Sequence, residues 1–259
     1  MHPMLNIAVR ATRKAGNFIV KNYEIPNSIE DYYNNRNHLV TSINRDAEHL
    51  IIEVIRRSYP QHCIFSKVNG TITGQNKDIQ WIIDPLDGTA NFIKRFPHFS
   101  ISIAAQVKGR TEIAVIYDPI RNDLFTAVRG QGAQLNGCRL RGSNIHDLEH
   151  TTLVTAFPNF DLRQQAQTYF KLISKLFTQS VEFRCTGASA LNLAYVASGC
   201  VDGYFEIGLK LWNFAAGELL VRESSGIVTD FNGTHNYISS GNIVAGNLRI
   251  VKNLLLNIR

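Results

Sequence analysis

Apolar residues recur at helical spacing at the start of the chain. Leu5, Ala8, Val9, Ala15, Phe18 and Ile19 fall near one face, with Arg10, Arg13, Lys14 and Lys21 mostly elsewhere, which predicts an amphipathic helix over 4–23. Residues 24–40 are polar and Asn-rich and read as a loop. Leu50, Ile51, Val54 and Ile55 then predict a second helix over 46–58, stopped by Pro60. Short β-rich runs follow at 63–66, 79–84, 100–107, 112–118 and 123–128, and Asn136-Gly137 is a turn signal. Two helices followed by a run of strands predict an antiparallel sheet with helices on one face.

The second half alternates. Strands at 152–157, 181–185 and 202–206 are each followed by a helix, at 162–178, 188–199 and 212–224. Strands at 226–231 and 242–245 and a helix from 247 close the chain. The change of pattern near 145–150 predicts an α+β lobe over 1–147 and an α/β lobe over 148–259. No long linker or repeat separates them, so a continuous interface is expected.

Composition narrows the function classes. Of 259 residues, 44% are hydrophobic and 19% charged, which argues against disorder. No segment has the length of a membrane span, and Arg10, Arg13 and Lys14 break the apolar run that a signal peptide would need. Cys63, Cys138, Cys185 and Cys200 lack metal-binding spacing, which suggests reduced thiols in a cytoplasm. The net charge of +6 is spread along the chain. Arg56-Arg57 and Arg139-Leu140-Arg141 read as solvated faces. With no RNA-binding motif, direct RNA contact is the weaker reading of that charge.

The segment with most chemistry is Trp81-Ile82-Ile83-Asp84-Pro85-Leu86-Asp87-Gly88-Thr89-Ala90-Asn91-Phe92. An apolar strand runs into two carboxylates, a glycine turn and a hydroxyl. Pro85 and Gly88 stop the strand, so Asp84, Asp87 and Thr89 can converge with freed backbone carbonyls. Such hard oxygen ligands suit Mg²⁺. The same string also reads as a capped turn, with Asp87 and Thr89 serving the helix that follows.

The full string resembles the first signature of the inositol monophosphatase family. The resemblance continues in order through Leu39-Val40-Thr41-Ser42-Ile43-Asn44, His62 to Gly70, Gly187-Ala188-Ser189-Ala190-Leu191-Asn192 and Leu211-Trp212-Asn213-Phe214-Ala215-Ala216-Gly217. It implies a layered αβαβα sandwich of the α/β (α+β) class. It implies Mg²⁺ held by Asp84, the Leu86 carbonyl and Asp87, with Thr89 orienting the attacking water. It places a substrate against Asp87, Gly88, Thr89, Ser189, Ala190 and Glu206. It also exposes departures. Lys67 and Val68 stand where the family has two glutamates, and Asn44 and Asn213 stand where it has aspartates.

All these changes lower negative charge. A Lys67 ammonium near a cation site would repel the ion by about 4 kcal/mol at an effective dielectric near 20, or roughly three powers of ten in affinity. Lys67 is expected either to pair with Asp84 as a surrogate cation or to keep its head in solvent. Met1-His2-Pro3-Met4-Leu5-Asn6-Ile7-Ala8-Val9-Arg10, Lys108-Gly109-Arg110-Thr111-Glu112 and Arg129 to Gly137 resemble a bacterial branch of the family with two roles. One role is Mg²⁺-dependent hydrolysis of inositol 1-phosphate. The other is as a Nus factor in the antitermination complex of ribosomal RNA transcription, with RNA polymerase and NusA among its partners. The degraded site favours the second role, with the phosphatase as the alternative. A homodimer is expected, and Arg184 is a candidate for partner or dimer contact; an ordinary structural ion pair is its other reading.

Overall fold

Helix α1 (Pro3–Glu24) buries Leu5, Ala8, Ala11, Ala15 and Ile19 along one stripe and turns its basic residues outward. Small residues on that stripe allow close packing: a Cβ at Gly16 would sit 2.6 Å from the Tyr117 ring. Helix α2 (Arg36–Ser58) buries Ile43, Ala47, Ile51 and Ile55 against the same core. The computed structural model describes residues 2–24, 36–157, 163–179 and 181–258.

Eight strands follow and form one sheet: β1 (His62–Ser66), β2 (Gly70–Ile72), β3 (Asn76–Asp87), β4 (Ser100–Val107), β5 (Arg110–Asp118), β6 (Asp123–Val128), β7 (Gly132–Leu135) and β8 (Cys138–Arg139). A short helix α3 (Thr89–Ile93) follows β3. The order is β2-β1-β3-β4-β5-β6-β7-β8. A second sheet contains β9 (Thr152–Thr155), β10 (Glu182–Arg184), β11 (Gly203–Glu206), β12 (Ile227–Thr229) and β13 (Ile243–Gly246), in the order β10-β9-β11-β13-β12. Helices α4 (Arg163–Phe177), α5 (Ser189–Ser198), α6 (Leu211–Glu223), α7 (Tyr237–Ser240) and α8 (Leu248–Ile258) complete the described elements.

The layers run α1/α2, first sheet, α5/α6, second sheet, α4/α8. Strand alternation produces them. On β4, Ile101, Ile103 and Ala105 face the α1/α2 core, while Ala104 faces α5 and α6. On β11, Tyr204 joins the central core and Phe205 the α4/α8 core. The central core runs from Ile82 and Ile116 in one sheet through Leu191 and Leu220 to Tyr204 and Ala245 in the other.

Four expectations need correction. Residues 36–40 are helical, not loop; the segment has no proline or glycine to end a helix. The rest of that expected loop, 25–35, lies outside the described residues. The first sheet is not wholly antiparallel, because β1 runs parallel to β3. Both its faces carry helices, since small residues such as Ala104 and Ala114 admit α6 on the second face. Strands β2, β7 and β8 and helices α3 and α7 were not anticipated; each is five residues or fewer, too short for its periodicity to register.

Gly217 marks a close approach of α6 to α5, because a Cβ there would lie 2.5 Å from Leu193 Cβ. Gly217→Ala adds about 1 kcal/mol of helix propensity but overpacks a rigid contact at a cost of about 1–3 kcal/mol. A fall in Tm of up to roughly 8 °C is expected, measured by thermal unfolding; a rise would show that α5 and α6 are free to separate.

Candidate active site

Strand β3 delivers the site. Its ladder to β4 shifts register between Asp84 and Asp87, where Pro85 has no N–H to donate. The bulge turns Asp84 back on itself, so that Leu86 N donates to Asp84 Oδ1 at 3.2 Å. Gly88 then takes a left-handed conformation (φ 80°), and a Cβ there would meet the His98 carbonyl at 2.9 Å. The chain enters α3 at Thr89, whose Oγ1 donates to the Leu86 carbonyl at 2.8 Å.

Two helix N-termini of the central layer meet this loop. Ala190 N, in the first turn of α5, donates to Asp87 Oδ2 at 2.8 Å; a carboxylate there meets unpaired helix N–H groups and the positive end of the dipole. Asn213 Nδ2, in the first turn of α6, donates to Asp84 Oδ2 at 3.3 Å. Asn213 Oδ1 accepts from Lys210 N at 3.1 Å, which orients the amide.

Lys67 sits in the turn after β1. Its Nζ lies 3.0 and 3.2 Å from the two oxygens of Asp84, 2.8 Å from the Leu86 carbonyl and 3.4 Å from Thr89 Oγ1. Asp84 is fully buried and the Lys67 side chain is 29% exposed. The turn itself is pinned by Glu48 of α2. This buried carboxylate accepts from Ser66 Oγ at 2.8 Å, from Val68 N and Asn69 N at 3.0 Å each, and from Asn69 Nδ2 at 2.7 Å. Sequence reasoning missed Glu48. Its signal was present: an acidic residue in line with Ile51 and Ile55 on the inward face of α2 needs a reason to be there. Asn44 lies one turn earlier on α2 and is also buried.

Across the cleft, Ser189 Oγ donates to Glu206 at 3.1 Å, and the Tyr204 hydroxyl makes a short hydrogen bond to the same carboxylate. Burial holds the Glu206 carboxyl above the usual carboxylate range, opposed by those two hydroxyls. Burial also raises Asp84, with the Lys67 ammonium opposing it. Arg184 is not part of this cluster. It is exposed on the edge strand β10 and pairs with Glu182 of the same strand at 2.9 Å.

Magnesium demands near-octahedral oxygen coordination at about 2.0–2.1 Å. Of the oxygens that the family resemblance assigns to it, those of Asp84 and the Leu86 carbonyl already accept from an ammonium, and Asp87 accepts from the Ala190 amide. Among the described residues no three His, Cys, Asp or Glu side chains group closely enough to hold a metal. The residues present do not fit the ion.

Asp87 carries a pH signature. Burial, reinforced by Asp84, pushes it from an ordinary 3.8 to about 7, with Lys67 and the Ala190 amide opposing. A carboxyl raised in the folded state contributes stability that is fully present below its unfolded value and is lost as pH rises through the folded one. Asp87→Asn keeps an acceptor for Ala190 and removes the ionisation. Its Tm relative to the parent is expected to be more favourable at pH 8 than at pH 5, by roughly 2–4 °C for each kcal/mol recovered. The same difference at both pH values would place Asp87 in the ordinary carboxylate range.

The model of the inositol monophosphatase family matches residues 1–259. The chain is 61% identical over 259 residues to the Nus factor SuhB of Escherichia coli K12, covering 100% of this chain and 97% of that one. It is 62% identical, with the same coverage, to the Nus factor SuhB of Salmonella typhimurium LT2. The crystal structure of the extragenic suppressor protein suhB from Bartonella henselae superposes with a TM-score of 0.88 at 35% identity, covering 99% of both chains. An inositol monophosphatase from Anabaena superposes at 0.85 with 34% identity, covering 98% of this chain and 94% of that one. On full-length sequence and fold alike, this chain belongs to the inositol monophosphatase family.

Proposed function

We propose that this chain serves as a Nus-type factor in the ribosomal RNA transcription antitermination complex, through protein contacts. Full-length likeness above 60% to proteins named Nus factor SuhB supports the role. The observation that separates it from hydrolysis is the Lys67 ammonium, hydrogen-bonded to Asp84, the Leu86 carbonyl and Thr89. In the proposed assignment Asp84, Leu86 and Asp87 are the remnants of the metal site and Thr89 the remnant of water activation. Lys67, Asn44 and Asn213 are the degraded positions. The cleft formed by Asp87, Gly88, Thr89, Ser189, Ala190 and Glu206 keeps hydrogen-bonding groups for a polyol, without the charge to activate water against a phosphate.

RNA polymerase and NusA are the proposed partners, and the cytoplasm is the compartment that those partners imply. No helix among the described residues is long and apolar enough to cross a membrane. A homodimer in exchange with a partner-bound form completes the proposal. Exposed Arg184, on an edge strand with only a local ion pair, is the side chain proposed for those contacts; such a surface pair contributes little to stability and leaves the guanidinium able to change partners. The alternative, a Mg²⁺-dependent phosphatase of inositol 1-phosphate, draws on the convergence of Asp84, Asp87 and Thr89. It requires an ion to displace a hydrogen-bonded ammonium.

Two assays on one preparation decide between them. The natural chain is expected to restore read-through on a ribosomal leader template lacking its own Nus factor of this kind, and to release no phosphate from inositol 1-phosphate in Mg²⁺. Arg184→Ala is expected to weaken read-through about tenfold or less, as loss of a charge-assisted contact would, without lowering Tm. Phosphate release by the natural chain equal to that of an Asn44→Asp, Lys67→Glu, Asn213→Asp variant, with no effect on read-through, would make it a phosphatase.

A further inference from the structure

Asp84 is fully buried, yet each of its oxygens is satisfied from within the chain. Oδ1 accepts from Leu86 N and Lys67 Nζ, at 3.2 and 3.0 Å. Oδ2 accepts from Lys67 Nζ and Asn213 Nδ2, at 3.2 and 3.3 Å. The two side-chain donors come from opposite sides of the cleft. Lys67 follows β1 in the first sheet, and Asn213 opens α6 in the central layer, 129 residues along the chain from Asp84.

Lys67 is held in place. Its backbone N–H donates to the Ile83 carbonyl at 3.1 Å, and Glu48 fixes the following two residues. An ammonium has three protons, and Asp84, the Leu86 carbonyl and Thr89 Oγ1 lie within 3.4 Å to receive them. Asn213 matters in the same sense. A carboxylate in its place would stand about 3.3 Å from Asp84 and repel it; an amide offers a proton.

We infer that Lys67 and Asn213 together form a built-in, metal-free clamp. Their ammonium and amide donors fill at Asp84 the place of divalent cations, and they hold the two halves of the cleft together with or without Mg²⁺. The two substitutions are therefore a matched replacement, not independent decay. The inference rests on the same Lys67 contacts as the proposed loss of hydrolysis, but its test reads folding and ion binding, and read-through can succeed or fail independently of it.

Thermal unfolding of the full chain tests it, in EDTA and in millimolar Mg²⁺. The natural chain is expected to show the same Tm in both, because an ion that does not bind the folded state cannot stabilise it. Lys67→Met strands a buried carboxylate and is expected to lower Tm by roughly 6–20 °C; adding Asp84→Asn should recover most of that loss. Lys67→Glu with Asn213→Asp is expected to acquire a Tm that rises with Mg²⁺ and falls in EDTA. A natural chain whose Tm rises with Mg²⁺ as much as that variant's overturns the clamp. So does Lys67→Met with an unchanged Tm. If the paired variant fails to fold in either buffer, the Lys67→Met and Asp84→Asn pair still decides.

Discussion

The structure turns on a carboxylate that must be paired where water cannot reach it. Asp84 stands at the bulged end of β3, with no exposed surface, where the first sheet meets the central helices. Burying an ionised carboxylate without a partner costs several kcal/mol, a large share of the stability of any domain. Its partners are arranged around that need. Leu86 N returns to it across the bulge, Lys67 reaches it from the turn after β1, and Asn213 reaches it from α6.

The same constraint explains the order of elements around the cleft. Glu48 lies on the buried face of α2 because something must fix the turn that carries Lys67, and its four accepted hydrogen bonds do so. Asp87 faces the N-terminus of α5 because unpaired helix N–H groups tolerate a carboxylate there. Scaffold and chemistry thus separate cleanly. The layered core, from Ile82 through Leu191 to Ala245, is built from apolar side chains and meets the cleft only through backbone and polar groups at the starts of α5 and α6. A family fold can keep its shape while its cleft changes charge.

Much of this was legible beforehand, for identifiable reasons. Long elements with strong periodicity, such as α1, β4 and α6, left clear patterns in the residues. So did the Asp-Pro-Leu-Asp-Gly-Thr string, although β3 runs on through Pro85 as a bulge and ends at Asp87, where the expected stop was at the proline. The family resemblance, confirmed over the whole length, supplied the five layers; periodicity alone placed helices on one face of the first sheet only. What escaped depends on partners distant in sequence. Glu48 serves residues eighteen or more positions away. The parallel pairing of β1 with β3 is decided by the sheet, not by either strand. The helical start of α2 was hidden because Asn-rich sequence runs up to it and five residues are too few to show a helical period.

The pairing of Lys67 with Asn213 also bears on how such a site changes over generations. With Lys67 in place, an aspartate at 213 would bring a third carboxylate beside Asp84 and Asp87 with one ammonium to balance them. With Asn213 in place, a glutamate at 67 would leave the same cluster without any cation of its own. Either single step back toward the family pattern passes through a chain that is less well compensated than both endpoints. Under the proposed clamp, folding stability alone favours keeping Lys67 and Asn213 together, independent of any chemistry in the cleft.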